Sequence, residues 1–148
     1  MNNGWIFKQP IHNSKITIAM HNFSLVNSKL KEFTKELNSY ADLKEGWDYY
    51  KGKTFSKQFL SKIEETVTKS VNAFNRAESY YFELTPCPLG DGRVDVEIEV
   101  LFKKIIFTFD PDNNTVEVEI ISNVLGQTQC SWDDESITNI VHSIIKKD

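Results

Sequence analysis

The stretch "RVDVEIEV" constrains this chain more than any other eight residues. Val94, Val96, Ile98 and Val100 alternate with Asp95, Glu97 and Glu99, and side chains that alternate with period two point to opposite faces of a pleated strand. One face of the resulting sheet is apolar and has to be covered, whereas the other is acidic and belongs in water. "KKIIFTFD" repeats the pattern with Ile105, Phe107 and Phe109, and "TVEVEIIS" repeats it with Val116, Val118 and Ile120. Three consecutive strands joined by short polar turns predict an antiparallel meander. "ESYYFELTPCP" reads as a further strand, stopped by Pro86 and Pro88 because proline lacks the donor a ladder needs.

Helices are the natural cover for such a sheet. Leu30, Phe33, Leu37 and Tyr40 recur at three and four residues, which predicts an amphipathic helix from about Ser28 with Asn27 or Ser28 as its cap. A second helix is expected from Ser56 to near Ala77, with Phe59, Ile63, Val67, Val71 and Phe74 as its stripe and Phe55 and Leu60 placed to form a hydrophobic staple. Near the C-terminus Ser131 and Asp134 resemble a capping box, and Ile137, Ile140, Val141, Ile144 and Ile145 give a third helical stripe. Lys146 and Lys147 suit the negative end of that helix. Ile16, Ile18 and Met20 suggest a short early strand. The order predicts an α+β fold: one domain over residues 1–148, an antiparallel meander with two N-terminal helices and one C-terminal helix packed on one face. At 148 residues folding buries roughly 68 to 70% of the unfolded surface, so neither a metal nor a disulfide is required.

Registry follows from the turns. A turn at "LFKK" pairs Val100 with Ile105, Glu99 with Ile106 and Glu97 with Thr108, and a turn at "PDNN" pairs Phe107 with Val118, Thr108 with Glu117 and Ile106 with Glu119. The outer face is then a small spot, Ile106 and Thr108, flanked by Glu97, Glu99, Glu117 and Glu119. Charge is unevenly distributed along the chain. Residues 27–77 carry +3 and residues 78–135 carry −10 within a total of −4. A field of this sign repels nucleic acid phosphates and attracts a basic protein surface. An open sheet must also set something polar toward water, although glutamate is a poor strand former.

Chemical motifs are scarce. "DPDNNT", Asp110 to Thr115, begins like a calcium loop but has Thr115 where glycine is needed and Ile121 where a bidentate glutamate should stand. It reads instead as a hairpin turn with Pro111 second and Asn114 left-handed. His12, His21 and His142 are far apart and form no ligand pair, so no metal or other cofactor is expected. "GDG", Gly90 to Gly92, is read as a turn. Cys87 and Cys130 are not in a CxxC pair and are expected to be reduced. Carboxylate pairs drawn from Glu97, Glu99, Glu117 and Glu119 lack the burial that would tune them for acid and base work. The first twenty residues lack the apolar core of a signal peptide and no apolar run approaches a membrane span, which gives a cytoplasmic expectation with no membrane partner.

The loop "GWDYYKGK", Gly46 to Lys53, carries three large rings between two helices. Trp47 is placed to close the end of the core, Asp48 to bond nearby amides, and Gly46 and Gly52 to supply unusual backbone angles. Three rings exceed what one plug needs, which leaves Tyr49 or Tyr50 for binding. Gly46, Trp47, Asp48, Tyr50, Lys53 and Ser56 resemble the "GWDGYGAKP.S" opening of a family of small uncharacterised bacterial proteins. There a "PTPDGG" stretch and an "EIEFDPDG" hairpin follow; here Thr85 and Pro86, Asp91 and Gly92, and Phe109 to Asp112 match in order. The resemblance spans Leu43 to Val118 and departs where Tyr49 and Lys51 replace glycines. It implies a recurring fold and transfers no catalytic residue.

These observations favour a non-enzymatic binding protein of the immunity or antitoxin kind. Its acidic face (Glu97, Glu99, Ile106, Thr108, Glu117 and Glu119), with Tyr49 and Tyr50, would mask a basic surface of a protein partner. The alternative is a small-ligand or nucleotide binder, or a minor enzyme, with a pocket near the Gly46 to Lys53 loop.

Overall fold

The computed structural model describes residues 25–72, 82–100, 103–122 and 126–145. The expected early strand at Ile16 to Met20 lies outside these residues, as do His12, His21, Phe74, Ala77, Lys146 and Lys147. Helix α1 covers residues 25–39 and passes into a 3-10 turn at Tyr40–Asp42. Helix α2 is Lys57–Val71 and helix α3 is Asp134–Ile145. Five strands lie between α2 and α3: β1 Phe82–Pro88, β2 Val94–Val100, β3 Lys103–Phe109, β4 Thr115–Ile121 and β5 Gly126–Ser131. They form one antiparallel sheet in the order of the chain, the α+β meander that the alternation implies.

One face of the sheet is buried. Val94, Val96, Ile98 and Val100 of β2, Ile105, Phe107 and Phe109 of β3, and Val116 and Val118 of β4 share a single core cluster with Phe33 and Leu37 of α1, Ile63 and Val67 of α2, and Ile137 and Val141 of α3. Each such side chain contributes roughly 1.5 to 3 kcal/mol by leaving water. Trp132, just after β5, ties this core together. Its ring meets Phe109 at 5.0 Å and Phe59 edge-on at 5.8 Å, and its indole N–H donates to the Thr66 hydroxyl at 3.2 Å. Its backbone N–H donates to the Asn114 carbonyl at 2.7 Å, and the Lys62 ammonium stands 3.9 Å from the ring centre.

Several local expectations need correction. Helix α1 is already formed at residue 25, so Asn27 and Ser28 are exposed helical positions and not its cap. Ser56 does cap α2, accepting from the Phe59 N–H at 3.1 Å, with Phe55 and Leu60 both buried beside it. Strand β1 ends at Pro88, as expected, but runs through Pro86. Pro86 pairs with Val96 and Pro88 with Val94, because β1 is an edge strand and the backbone groups of these positions face away from β2. The Pro86 carbonyl accordingly accepts from the buried Tyr40 hydroxyl at 3.1 Å, which closes that edge.

The β2–β3 register is shifted by two from the expected one: Val100 pairs with Lys103, Ile98 with Ile105, Glu97 with Ile106 and Asp95 with Thr108. The β3–β4 register matches expectation, with Phe107 opposite Val118, Thr108 opposite Glu117 and Ile106 opposite Glu119. In the β3–β4 turn Asn113 donates to the Asp110 carbonyl at 3.3 Å with Pro111 second, but Asn114 is not left-handed; its carbonyl is held by Trp132.

The cap of α3 is Asp133, not Ser131. Its carboxylate accepts from the Ser136 backbone N–H at 2.7 Å and from the Ser136 hydroxyl at 2.9 Å, and these bonds hold the Asp133 carboxyl below its ordinary range. Asp133→Ala, which removes this cap, is therefore expected to lower the urea midpoint at neutral pH, while Ser131→Ala, at an exposed strand end, leaves it unchanged.

Candidate interaction surface

The second face of the sheet has no described helix on it. Strand pairing sets its side chains in rows that cross the sheet. One row runs Cys87, Asp95, Thr108, Glu117, Gln129, and the next runs Thr85, Glu97, Ile106, Glu119, Gln127. A third begins Glu83, Glu99, Lys104, Ile121. Ile106 therefore sits between Glu97 and Glu119, and Thr108 sits between Asp95 and Glu117. The structure brings Glu97, Glu99, Ile106, Thr108, Glu117 and Glu119 onto one surface with Asp95, and the register shift sets Asp95 opposite Thr108 and Lys104 opposite Glu99.

A shallow trough of about 720 Å³ runs along the β4–β5 side of this face, lined by Asp95, Ile106, Thr108, Glu117, Glu119, Gln127 and Gln129 among others. Its charges are partly balanced. Lys104 meets Glu97 at 2.6 Å, Arg93 meets Glu117 at 3.6 Å and Asp91 at 2.8 Å, and Lys29 of α1 reaches Glu83 at 3.1 Å. Glu99 and Glu119 have no ion pair among the described residues. Exposed pairs of this kind contribute at most about 1 kcal/mol and are screened by salt, so they leave the acidic character of the face in place.

Asp95 is the most enclosed acid here. Partial burial pushes its carboxyl up from the ordinary range, and the nearby Asp91 and Glu117 charges push the same way. A 2.6 Å hydrogen bond from the Thr108 hydroxyl and the charge of Arg93 act against the rise. The Cys87 thiol on the same face is also raised, first by burial and then by Asp95, Glu97 and Glu36, which keeps it protonated and a poor nucleophile. Both cysteines are free thiols. Among the described residues no group of three His, Cys, Asp or Glu converges to hold a metal ion, and no helix is long and apolar enough to cross a membrane.

The "GWDYYKGK" loop is both pinned and exposed. Trp47 leans on Phe55 at 6.1 Å and donates its indole N–H to the Lys53 carbonyl at 2.8 Å. Asp48 accepts from the Tyr50 and Gly52 amides at 3.0 and 2.7 Å. The other Asp48 carboxylate oxygen fills the space that a side chain on Gly90 would need, while the Lys53 N–H donates to the Gly90 carbonyl at 3.0 Å. The loop is thus docked on the β1–β2 turn, a contact that the sequence marks only by the "GDG" glycines. Gly46 has the expected left-handed backbone, φ 78°, but Gly52 does not. A Cβ at Gly52 would lie 2.7 Å from Asp48 and 2.8 Å from the Trp47 ring nitrogen, so that glycine is required for space.

The second left-handed position in the loop is Tyr49, at φ 63°, where the resembled motif has glycine. Tyr49 is fully exposed and Tyr50 is 79% exposed. Neither lines the trough on the β4–β5 side of the sheet. A second cleft, about 500 Å³, lies between this loop, the start of α2 and the β3–β4 turn. Its lining includes Lys53, Ser56, Asp91, Arg93, Asp110 and Asp112. Comparison of the chain with protein-family models, curated proteins and solved structures finds no match.

The state of Asp95 gives a pH test. A carboxyl whose folded pKa lies above its unfolded value destabilises the fold when ionised, and that penalty fades as pH falls through the folded pKa. Asp95→Asn, which keeps an acceptor for Thr108, is expected to raise the urea midpoint at pH 7. The advantage should vanish at pH 3, below the unfolded carboxylate value.

Proposed function

We propose that this chain is a non-enzymatic protein-binding module, of the immunity or antitoxin kind, that masks a basic surface of a partner with the outer face of its sheet. The observation that carries the reading is the position of Glu97, Glu99, Glu117 and Glu119 around Ile106 and Thr108 on a face that no described helix covers. An apolar spot flanked across the sheet by glutamates, with Lys104 as the one cation beside it on β3, suits a basic protein surface: the field speeds encounter, and the spot gives a small dry contact. Carboxylates in contact with water suit recognition better than acid and base chemistry.

Glu99 and Glu119 are the residues of choice for testing this, because neither belongs to an ion pair that its loss would break. Glu99→Lys/Glu119→Lys is expected to keep its melting temperature and to lose partners that the native chain captures from lysate. For a purified partner, association should slow at least tenfold and lose most of its dependence on salt. Undiminished capture by the double variant rules the surface out.

A second reading rests on the cleft beside Lys53, where Arg93, Lys53 and the N-terminus of α2 would meet a small anionic ligand such as a nucleotide. Asp91, Asp110 and Asp112 share that cleft and oppose an anion, so the sheet face is preferred. On the cleft reading, nucleotides at 1,000 times their Kd stabilise the chain by about 4 kcal/mol, a thermal shift of several degrees. A nucleotide panel that leaves the melting curve unmoved excludes it.

A further inference from the structure

We propose that the partner engages as an extended basic segment that adds to the free edge of β5 as a sixth strand, with its cations lying over Glu117 and Glu119. The proposal rests on the reading of the acidic face as a docking surface and specifies what the partner presents.

The argument starts from the two edges of the sheet. At the β1 edge two of the outward positions, Pro86 and Pro88, carry no N–H, and the Pro86 carbonyl is already taken by Tyr40. Among the described residues the β5 edge has none of these protections. "GQTQCS" contains no proline, no lysine and no charge, and all of its residues but Cys130 are well exposed.

Backbone geometry then shows which groups are free. Ser131 lies opposite Thr115, and the Trp132 N–H bonds to the Asn114 carbonyl, so the even-numbered positions of β5 are the hydrogen-bonded ones toward β4. Hydrogen-bonded and open pairs alternate along an antiparallel ladder, which turns the N–H and C=O of Gln127 and Gln129 outward. Among the described residues the one approach to them is the Thr128 hydroxyl, 3.5 Å from the Gln129 carbonyl. The Ser131 carbonyl is occupied by the Asp133 N–H at 2.9 Å. Gln127 and Gln129 therefore form a two-residue docking site for another backbone, an arrangement that natural edges otherwise block.

The charge on the neighbouring strand selects the occupant. Residues of an added strand opposite Gln127 and Gln129 would project onto the outer face, two strand spacings, roughly 10 Å, from β4. Glu119 and Glu117 stand there, directly across from Gln127 and Gln129. Lysine or arginine at alternate positions can extend over the glutamines to those carboxylates, whereas a neutral or acidic strand leaves them unmatched. A second copy of this chain would bring only its own glutamines to the seam. Main-chain bonds would supply affinity and the alternating cations would supply specificity, as in other recognition by strand addition.

The test uses the full chain and synthetic eight-residue peptides with blocked ends: alternating threonine and lysine, alternating threonine and glutamate, and the lysine peptide N-methylated on alternate backbone nitrogens. Calorimetry gives the affinity, and NMR follows the Gln127 and Gln129 backbone amides. The lysine peptide is expected to bind and to shift both amides, and the glutamate peptide is not. N-methylation in one register, Gln129→Pro, and Glu117→Gln/Glu119→Gln should each weaken binding at least tenfold. Should Gln129→Pro lose its fold by circular dichroism, the methylated peptides still decide on the native chain.

If the charge variant weakens binding while methylation and Gln129→Pro do not, strand addition is overturned and the docking face stands. If neither peptide binds, or both bind alike, strand addition and the acidic-face reading fall together. If the chain alone sediments as a dimer that Gln129→Pro dissociates, the edge belongs to a second copy and the proposal is overturned.

Discussion

Burial of the sheet on one side only is the constraint on which the rest of the structure depends. Phe107, Phe109, Val94, Val96 and Val116 are wholly enclosed beneath α1, α2 and α3, while their sequence neighbours Asp95, Glu97, Thr108 and Glu117 stay on the open side. A slip of one residue in any strand would carry carboxylates under the helices and expose aliphatics in their place. Unpaired charge in an apolar interior is among the most costly arrangements a chain can adopt. The identity of the two faces is therefore the most strongly specified property of this molecule, and the open acidic face follows from it directly.

The same constraint explains which parts of the fold were legible. Alternation encodes face, and every residue expected to face inward on β2, β3 and β4 does so. It does not encode register in steps of two, because a two-residue shift returns each side chain to the same side. The β2–β3 pairing was misplaced for that reason, since a four-residue turn keeps Lys103 out of the ladder whereas the actual pairing sets it opposite Val100. The β3–β4 pairing was legible because Asp110, Pro111 and Asp112 identify their own turn. Pro88 does end β1, but Pro86 does not interrupt it, because sequence alone does not show that β1 is an edge, where a missing N–H costs nothing to the ladder. Asp133 was missed as the cap of α3 because Ser131, Asp133 and Asp134 are all competent capping residues. Trp132 decides between them: its backbone bond to Asn114 keeps Ser131 in the strand.

Within the candidate site, the chemistry of each residue was legible but the grouping was not fully so. Glu97, Glu99, Glu117 and Glu119 share a face because parity places them there. Parity says nothing of Tyr49 and Tyr50, whose loop is placed by the contact of Asp48 with Gly90. The Asp48–Gly90 contact could be read from sequence only as two unrelated features, a loop aspartate and a glycine-rich turn. Tyr49 adds a separate point. A left-handed backbone costs a residue with a Cβ roughly 1 to 2 kcal/mol, and this ring gains no packing in return because it is fully exposed.

The outer face can carry recognition because the fold asks so little of it. Threonine and valine are better strand residues than glutamate, and glutamates on both sides of Ile106 repel one another weakly through water. Those penalties are small beside the burial on the other side of the same strands, where Ile98, Ile105 and Phe107 are sealed from solvent. The molecule thus separates two tasks across the thickness of one sheet: the inner residues fix the fold, and the outer residues can change charge with little effect on it. The uncharged edge of β5, unprotected among the described residues, lies beside that variable surface, whereas the opposite edge is guarded at Pro86 and Pro88 and by Tyr40. A sheet that needed only solubility would have reason to guard both edges. Guarding only the one distant from Glu117 and Glu119 leaves main-chain hydrogen bonding and negative charge available at the same place.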